Sequence, residues 1–213
     1  MTALRTTWSA YIDRQHRYPT GLVGQIIGER MVRQHAPETA WSIALLELQP
    51  ADQVLEIGCG AGQGLALALK HGLNQRIIGV DLSATMIESA ARRNDAAHTR
   101  GQLSLLRADI AALPFHERHF DKIVSIHTFY FWPNPRAIVD QIVALLADGG
   151  RFVTTFATAR TEPTGERTYW PLHERAQALA SELNQERGIR ATFTCGPDSR
   201  RFNNVAISIE KLL

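Results

Sequence analysis

The stretch from Val54 to Gly62, Val-Leu-Glu-Ile-Gly-Cys-Gly-Ala-Gly, limits what this chain can fold into more than any other. Its first four residues are apolar except Glu56, and Gly58, Gly60, Gly62 and Gly64 follow at alternate positions before Leu65 to Lys70 opens a helical pattern. A buried strand that runs through a glycine-rich turn into a helix is a nucleotide site on physical grounds. The missing side chains let the backbone touch a ligand, and the helix N-terminus offers unpaired N–H groups. A bare strand–helix turn needs one glycine, not four. The dinucleotide fingerprint wants glycine at its first, third and sixth positions. Counted from Gly58 the sixth residue is Gln63, and counted from Gly60 it is Leu65, so both registers fail. Glu56 would also repel a pyrophosphate, and suits a cationic ligand better.

Glu-x-Gly-x-Gly-x-Gly after a hydrophobic strand resembles the first motif of class I S-adenosylmethionine-dependent methyltransferases, here of the small-molecule type. Their ligand has a sulfonium, an ammonium and no phosphate, in keeping with Glu56. The resemblance implies an α/β fold: a Rossmann-like, doubly wound, seven-stranded sheet with an antiparallel last strand, plus an N-terminal helical extension. It implies S-adenosylmethionine as the cofactor. Further along, Arg76 to Val80 reads as a second buried strand ending in Asp81, 23 positions after Gly58 and near the ~20 expected between a glycine turn and a ribose-binding acid. By resemblance Asp81 accepts from two ribose hydroxyls and Leu82 packs on the adenine. A helix cap is the competing role for Asp81, although Ser83 already suits that one. Met86, Ile87, Ala90 and Ala91 form the core face of the next helix, with Met86 on the cofactor side.

Gln102 to Arg107 reads as the third strand. The Ala108-Asp109-Ile110 that follows resembles the motif in which an acid accepts from the adenine amino group and the next backbone N–H meets a ring nitrogen. Phe120 to Ile126 is the fourth strand, followed by His127 to Pro135, an imidazole among four aromatics. This departs from the Asn/Asp-Pro-Pro-Tyr/Phe signature of methyltransferases that act on nucleobase and glutamine amino groups. The expected cofactor set is therefore Glu56, Gly58, Gly60, Gly62, Asp81, Leu82, Met86, Asp109, Ile110 and Ser125, the last at the end of strand four. In the family that strand end faces the methyl group, which makes His127 the expected catalytic base, with His16 and Tyr130 as runners-up. Asn134-Pro135 starts a helix with a buried stripe at Ile138, Val139, Ile142, Val143 and Leu146. Asp148-Gly-Gly150 ends it before strand five.

Residues 1–50 read as a helical cap on a methyltransferase domain of residues 51–213. Leu4, Trp8, Tyr11 and Ile12 share one helical face, Leu22 to Met31 another, and Glu38 to Leu48 a third. Gly24 and Gly28 permit close helix packing. Tyr11, His16, Tyr18, Tyr130 and Trp132 are the expected lid and acceptor-pocket residues. Ala157 to Tyr169, polar and without a period, reads as a mobile loop over the site mouth. Pro171 to Gly188 reads as a helix, and two alternating segments, Ile189 to Cys195 and Val205 to Ile209, as an antiparallel pair joined by a longer link.

At 213 residues with 45% hydrophobic and 21% charged side chains, the chain is one ordinary globular α/β domain with decoration. A net charge of +2, without a basic run, gives no case for nucleic acid. Two cysteines, Cys59 and Cys195, make no metal framework, and Cys59 reads as a small filler in the glycine loop. The resemblance demands no metal, and Asp109, Asp121 and His127 belong to no recognised metal spacing. The absence of a signal-peptide pattern or a membrane-length apolar run points to a cytoplasmic protein. The expected function is methyl transfer from S-adenosylmethionine to a small molecule such as a natural product, quinone or phenol. Two alternatives stand beside it: a catalytically inactive S-adenosylmethionine-binding regulatory or scaffold protein, and a nicotinamide oxidoreductase, which Gln63 and Glu56 disfavour.

Overall fold

The structure, a computed structural model, describes residues 14–72, 76–116, 119–199 and 201–212. The first expected helix and Tyr11 lie outside them. Helices α1 (Gly21–Gln34) and α2 (Ala36–Leu45) precede the sheet. Strands and helices then alternate: β1 (Gln53–Ile57), α3 (Gln63–Ala68), β2 (Arg76–Asp81), α4 (Ala84–Arg93), the short α5 (Asp95–Thr99), β3 (Leu103–Arg107), β4 (Phe120–Ile126) and α6 (Pro135–Leu145). The described chain ends with β5 (Leu146–Thr161), β6 (Arg167–Tyr169), α7 (Pro171–Leu183), β7 (Ile189–Ser199) and β8 (Phe202–Lys211).

The strands lie in the order β3-β2-β1-β4-β5-β8-β7, with β6 hydrogen-bonded to β5 off this path. β1 to β5 run parallel, whereas β8 is antiparallel to both β5 and β7. The seven expected strands and the reversed last one are present, and β6 adds an eighth. Alternate residues of the central strands feed two cores. Leu55, Ile123, Phe152 and Phe156 pack with Ile138, Val139 and Ile142 of α6 and Leu179 and Leu183 of α7. Val54, Val124 and Val153 pack on the other face with Ile43 of α2, Leu65 of α3 and Ala90 of α4. Both faces are covered, as a mainly parallel sheet requires.

Ala157 to Tyr169 is not the loop its composition suggests. β5 runs on through Thr161, pairing with β8 along Ala157 to Arg160, and β6 folds back on Ala159 to Thr161. Thr158 and Ala159 are fully buried, and none of this segment lines the main cavity. Threonines and small residues fit a pleated strand as well as a loop, so composition alone does not separate the two. The strands of the closing pair are also longer than their alternation indicates, leaving only residues 200 and 201 between them.

The helical extension is anchored to the glycine turn from outside. A Cβ on Gly28 of α1 would lie 2.7 Å from Met86 Cε on α4, so that glycine sets how closely the two helices approach. Arg93 of α4 pairs with Glu29 of α1 and donates through Nε to Ala61 O at 2.7 Å. The α2 helix begins earlier than expected, with Pro37 in its first turn, and stops at Leu45; Glu47 beyond it has a positive φ of 53°.

Candidate active site

The chain reverses its winding direction between β1 and β4, which pair directly. Ligands of open α/β sheets sit outside the strand ends at such a point. A cavity of about 470 Å³ opens there, of the size usual for small-ligand sites. Its walls come from the turn after β1, the ends of β2 and β3, the segment after β4, and α1 and α2 with the residues before them.

Gly60 carries a φ of 51° and faces open space, so a ligand can lie against its backbone. Its N–H donates to Asp81 Oδ2 at 2.9 Å, and Ser83 N–H donates to Asp81 Oδ1 at 2.8 Å. Asp81 is therefore aimed across the turn by two backbone donors, while Ser83 is the actual cap of α4, accepting from Met86 N–H at 3.2 Å. Burial raises the Asp81 carboxyl above its ordinary range, against the pull of those two bonds. Leu82 is 47% exposed, an apolar surface bare on the cavity wall. Asp109 accepts from Ala111 N–H at 2.9 Å, capping a short helical turn that begins at Ile110.

Glu56 is 4% exposed, and its Oε2 has no hydrogen-bond partner. A Cβ on residue 64 would lie 2.3 Å from Glu56 Oε1, which is why a glycine stands there. Burial pushes the Glu56 carboxyl up to about 8, with the Leu65 N–H lowering it and nearby Asp81 raising it. Cys59 is buried beside them and its thiol is raised well above the usual range by burial first and these two acids second. It is a filler, not a nucleophile.

At the other end of the cavity His127 follows β4 with a φ of 56°, a left-handed conformation uncommon for a side-chain-bearing residue. Its N–H donates to Thr155 O at 2.8 Å. Burial lowers the imidazole pKa, although Glu38 opposes this. Phe131 and Trp132 line the same end. The segment 16–19 crosses the mouth: Arg17 sits 5.5 Å over the Phe131 ring, and the Tyr18 hydroxyl accepts from Arg107 Nη2 at 3.2 Å. It joins the aromatic wall to the β3 side.

Comparison with known proteins agrees with this geometry. The family described as "Methyltransferase domain" matches residues 55–154. The uncharacterized methyltransferase YdaC of Bacillus subtilis is 27% identical over 143 residues, 67% of this chain and 77% of that protein. A fatty-acid O-methyltransferase of Mycolicibacterium smegmatis is 28% identical over 116 residues, 54% of this chain but only 41% of that protein. In fold, an S-adenosylmethionine-dependent methyltransferase from Aquifex aeolicus overlays with a TM-score of 0.68 at 13% identity, covering 88% of this chain and 98% of that one. The chain carries a class I S-adenosylmethionine-dependent methyltransferase domain.

Most of the residues that the methyltransferase motifs single out line the one cavity: Glu56, Gly58, Gly60, Asp81, Leu82, Met86, Asp109, Ile110, His127, His16, Tyr18 and Trp132. The cofactor fits what is there: carboxylates for hydroxyl and amino donors, a bare glycine backbone, and an unpartnered buried acid for a cationic ligand. Three expected site residues are not on the lining. Gly62 turns the chain into α3 with a φ of 82°. Ser125 is fully buried, donating to Ile57 O at 3.0 Å and bonded to the Thr128 hydroxyl, so it ties strand ends together. The Tyr130 hydroxyl accepts from Ala157 N–H at 2.6 Å, and burial raises its pKa. A phenol already holding a backbone donor is a poor choice of base. The sequence reading missed His35 and Glu38, which meet His127 at the cavity wall. The signal available was His35-x-x-Glu38 spanning a helix start, a spacing that ordinary capping also produces.

Proposed function

We propose that the methyltransferase acts on a small, partly apolar acceptor that enters beside His127, Phe131 and Trp132. The observation that supports this is the division of the cavity: acids and glycine backbone at one end, an imidazole and aromatic rings at the other. The name of the fatty-acid O-methyltransferase relative, and the lack of a basic surface run, favour the same class of acceptor. S-adenosylmethionine, when bound, supplies a methyl group activated by a positively charged sulfur. The chain's own residues then bind, orient and exclude water, the main sources of rate in an in-line displacement. Asp81 accepts from the ribose hydroxyls, Asp109 and the Ile110 N–H hold the adenine edge, Leu82 packs on its face, and Glu56 balances positive charge. Segment 16–19 closes over the mouth, with residues 1–50 as a cap on the domain of residues 51–213. His127 stands at the acceptor's reacting atom.

Three measurements test this reading. S-adenosylhomocysteine at 100 times its dissociation constant should stabilise the chain by about 2.7 kcal/mol, a shift visible in a melt. A screen of fatty acids, phenols and quinones, read as a mass gain of one methyl group, should then find an acceptor. With that acceptor, His127→Ala should bind S-adenosylhomocysteine as the wild type does and lose roughly 10²–10⁴ in turnover. A cofactor-dependent melt shift with no turnover on any acceptor would instead favour a cofactor-binding scaffold.

A further inference from the structure

His35, Glu38 and His127 form a second constellation in which the expected cofactor residues take no part. His35 Nδ1 lies 2.6 Å and His127 Nε2 3.4 Å from Glu38 Oε1, and the three candidate ligand atoms fall within 4.8 Å of one another. Helix capping accounts for part of this, because His35 precedes α2 and Glu38 lies in its first turn. It does not account for His127. That residue arrives from the end of β4, and its ring centroid stands 4.2 Å from that of His35. Nor does capping explain the polar atoms left over. Both imidazoles converge on one carboxylate oxygen, whereas Glu38 Oε2 and His127 Nε2 are buried without a hydrogen-bond partner, the 3.4 Å approach being misaligned for one. Buried polar atoms left unpaired are costly, and a native site retains them where something further binds.

We propose that His35, Glu38 and His127 bind one late first-row divalent cation of the zinc class, with an open coordination position facing the cavity. Two imidazole nitrogens and one carboxylate oxygen suit such an ion, whereas magnesium and calcium prefer all-oxygen sites. Three protein ligands leave a fourth tetrahedral position open. With metal–ligand bonds of about 2.1 Å the ligand atoms of a tetrahedron stand about 3.4 Å apart, which matches the His127–Glu38 separation of 3.4 Å. The 2.6 Å contact of His35 must open, and His35, with its side chain 28% exposed, has room to do so. The cavity lining includes both histidines, so the open position points to the acceptor end. Only that last consequence rests on the acceptor placement proposed above; the cation site does not.

The test uses Co²⁺ as the probe on the full chain after treatment with a chelator. We expect uptake of one Co²⁺ per chain, with the visible bands of a four-coordinate ion, and displacement by one equivalent of Zn²⁺. Glu38→Gln, His35→Ala and His127→Ala should each weaken uptake by more than ~100-fold. His116→Ala, an exposed histidine elsewhere, should leave it unchanged. If Glu38→Gln fails to fold, the more exposed His35→Ala and the wild-type titration still decide. No stoichiometric uptake by the wild type, or equal uptake by the cluster variants, overturns the site and leaves His127 as a bare imidazole. Uptake is read without any acceptor, so a failed acceptor screen and a failed cation site give separate results.

Discussion

Two buried glutamates beside one cavity differ in almost everything but burial. Glu38 is 2% exposed and Glu56 is 4% exposed. Burial tends to raise the pKa of both. At Glu38 the contacts from His127 and His35 overcome it and hold the carboxyl well below the usual range. At Glu56 the single opposing Leu65 N–H does not, Asp81 adds to the rise, and the acid is pushed up to about 8. A hidden carboxyl is thus anionic or neutral according to its partners, not its depth. Glu38 is built to stay charged between two imidazoles, whereas Glu56 waits neutral beside a place that a cationic ligand would occupy.

Removing Asp81, the charge beside Glu56, should give the largest effect. Asp81→Ala takes away the proposed acceptor for the ribose hydroxyls and frees the Gly60 and Ser83 N–H groups. It should cost on the order of 1.5–3 kcal/mol of S-adenosylhomocysteine binding, measured by calorimetry, with Asp81→Asn between it and wild type. Equal affinities would reduce Asp81 to a brace for the glycine turn. The glutamates themselves should separate in stability. In chelator-treated protein at neutral pH, Glu38→Gln should cost about 1–3 kcal/mol by leaving two imidazoles against an amide. Glu56→Gln, close in shape to the protonated acid and with no carboxyl to hold protonated, should cost nothing at that pH and exceed the wild type. Similar losses for both would mean that the partners of Glu38 do not distinguish it.

The same contrast explains what could be read from the sequence. Glu56 was legible because its meaning is local: strand, acid and glycines lie within a few consecutive residues, and Gly64 stands where the Glu56 carboxyl needs space. Asp81 and Asp109 could be placed because one ends β2 and the other lies two residues past β3, strands whose position in the sheet follows from the order of elements. Glu38 was not legible, since its partner His127 lies 89 positions away and is brought to it by the packing of α2 against β4 and β5. Ser125 misled for a related reason. Sequence places it at the right strand end, but the pleat turns its hydroxyl to Ile57 O and away from the cavity. The 157–169 segment misled because β6 exists only by pairing with β5.

A pH series sharpens the contrast further. The folded pKa of Glu56 is raised from 4.5 to about 8, so folding favours its protonated form. Its stabilising contribution is complete below 4.5, declines as pH rises, and is gone above about 8. Melting temperatures of wild type and Glu56→Gln should therefore diverge in favour of the variant as pH rises through this window, then run parallel. Curves that stay parallel from acid to alkaline pH would show that Glu56 ionises in the folded chain as freely as in the unfolded one.

The smallest effect concerns the backbone on the Glu38 side. His127 has a φ of 56°, a region that costs a side-chain-bearing residue about 1–2 kcal/mol and glycine little. His127→Ala and His127→Gly both remove the imidazole, so their common loss measures its contacts with Glu38, His35 and Tyr130 together. Their difference measures the backbone. Glycine relieves the strain but adds about 0.4–1 kcal/mol of unfolded-state entropy. The glycine variant should therefore exceed the alanine variant by up to about 1 kcal/mol, or ~2–4 °C in melting temperature for a chain of this size. An alanine variant more stable than the glycine one by that same entropy, about 0.4–1 kcal/mol, would mean that this backbone carries no strain, and that the imidazole is held against Glu38 by side-chain contacts alone.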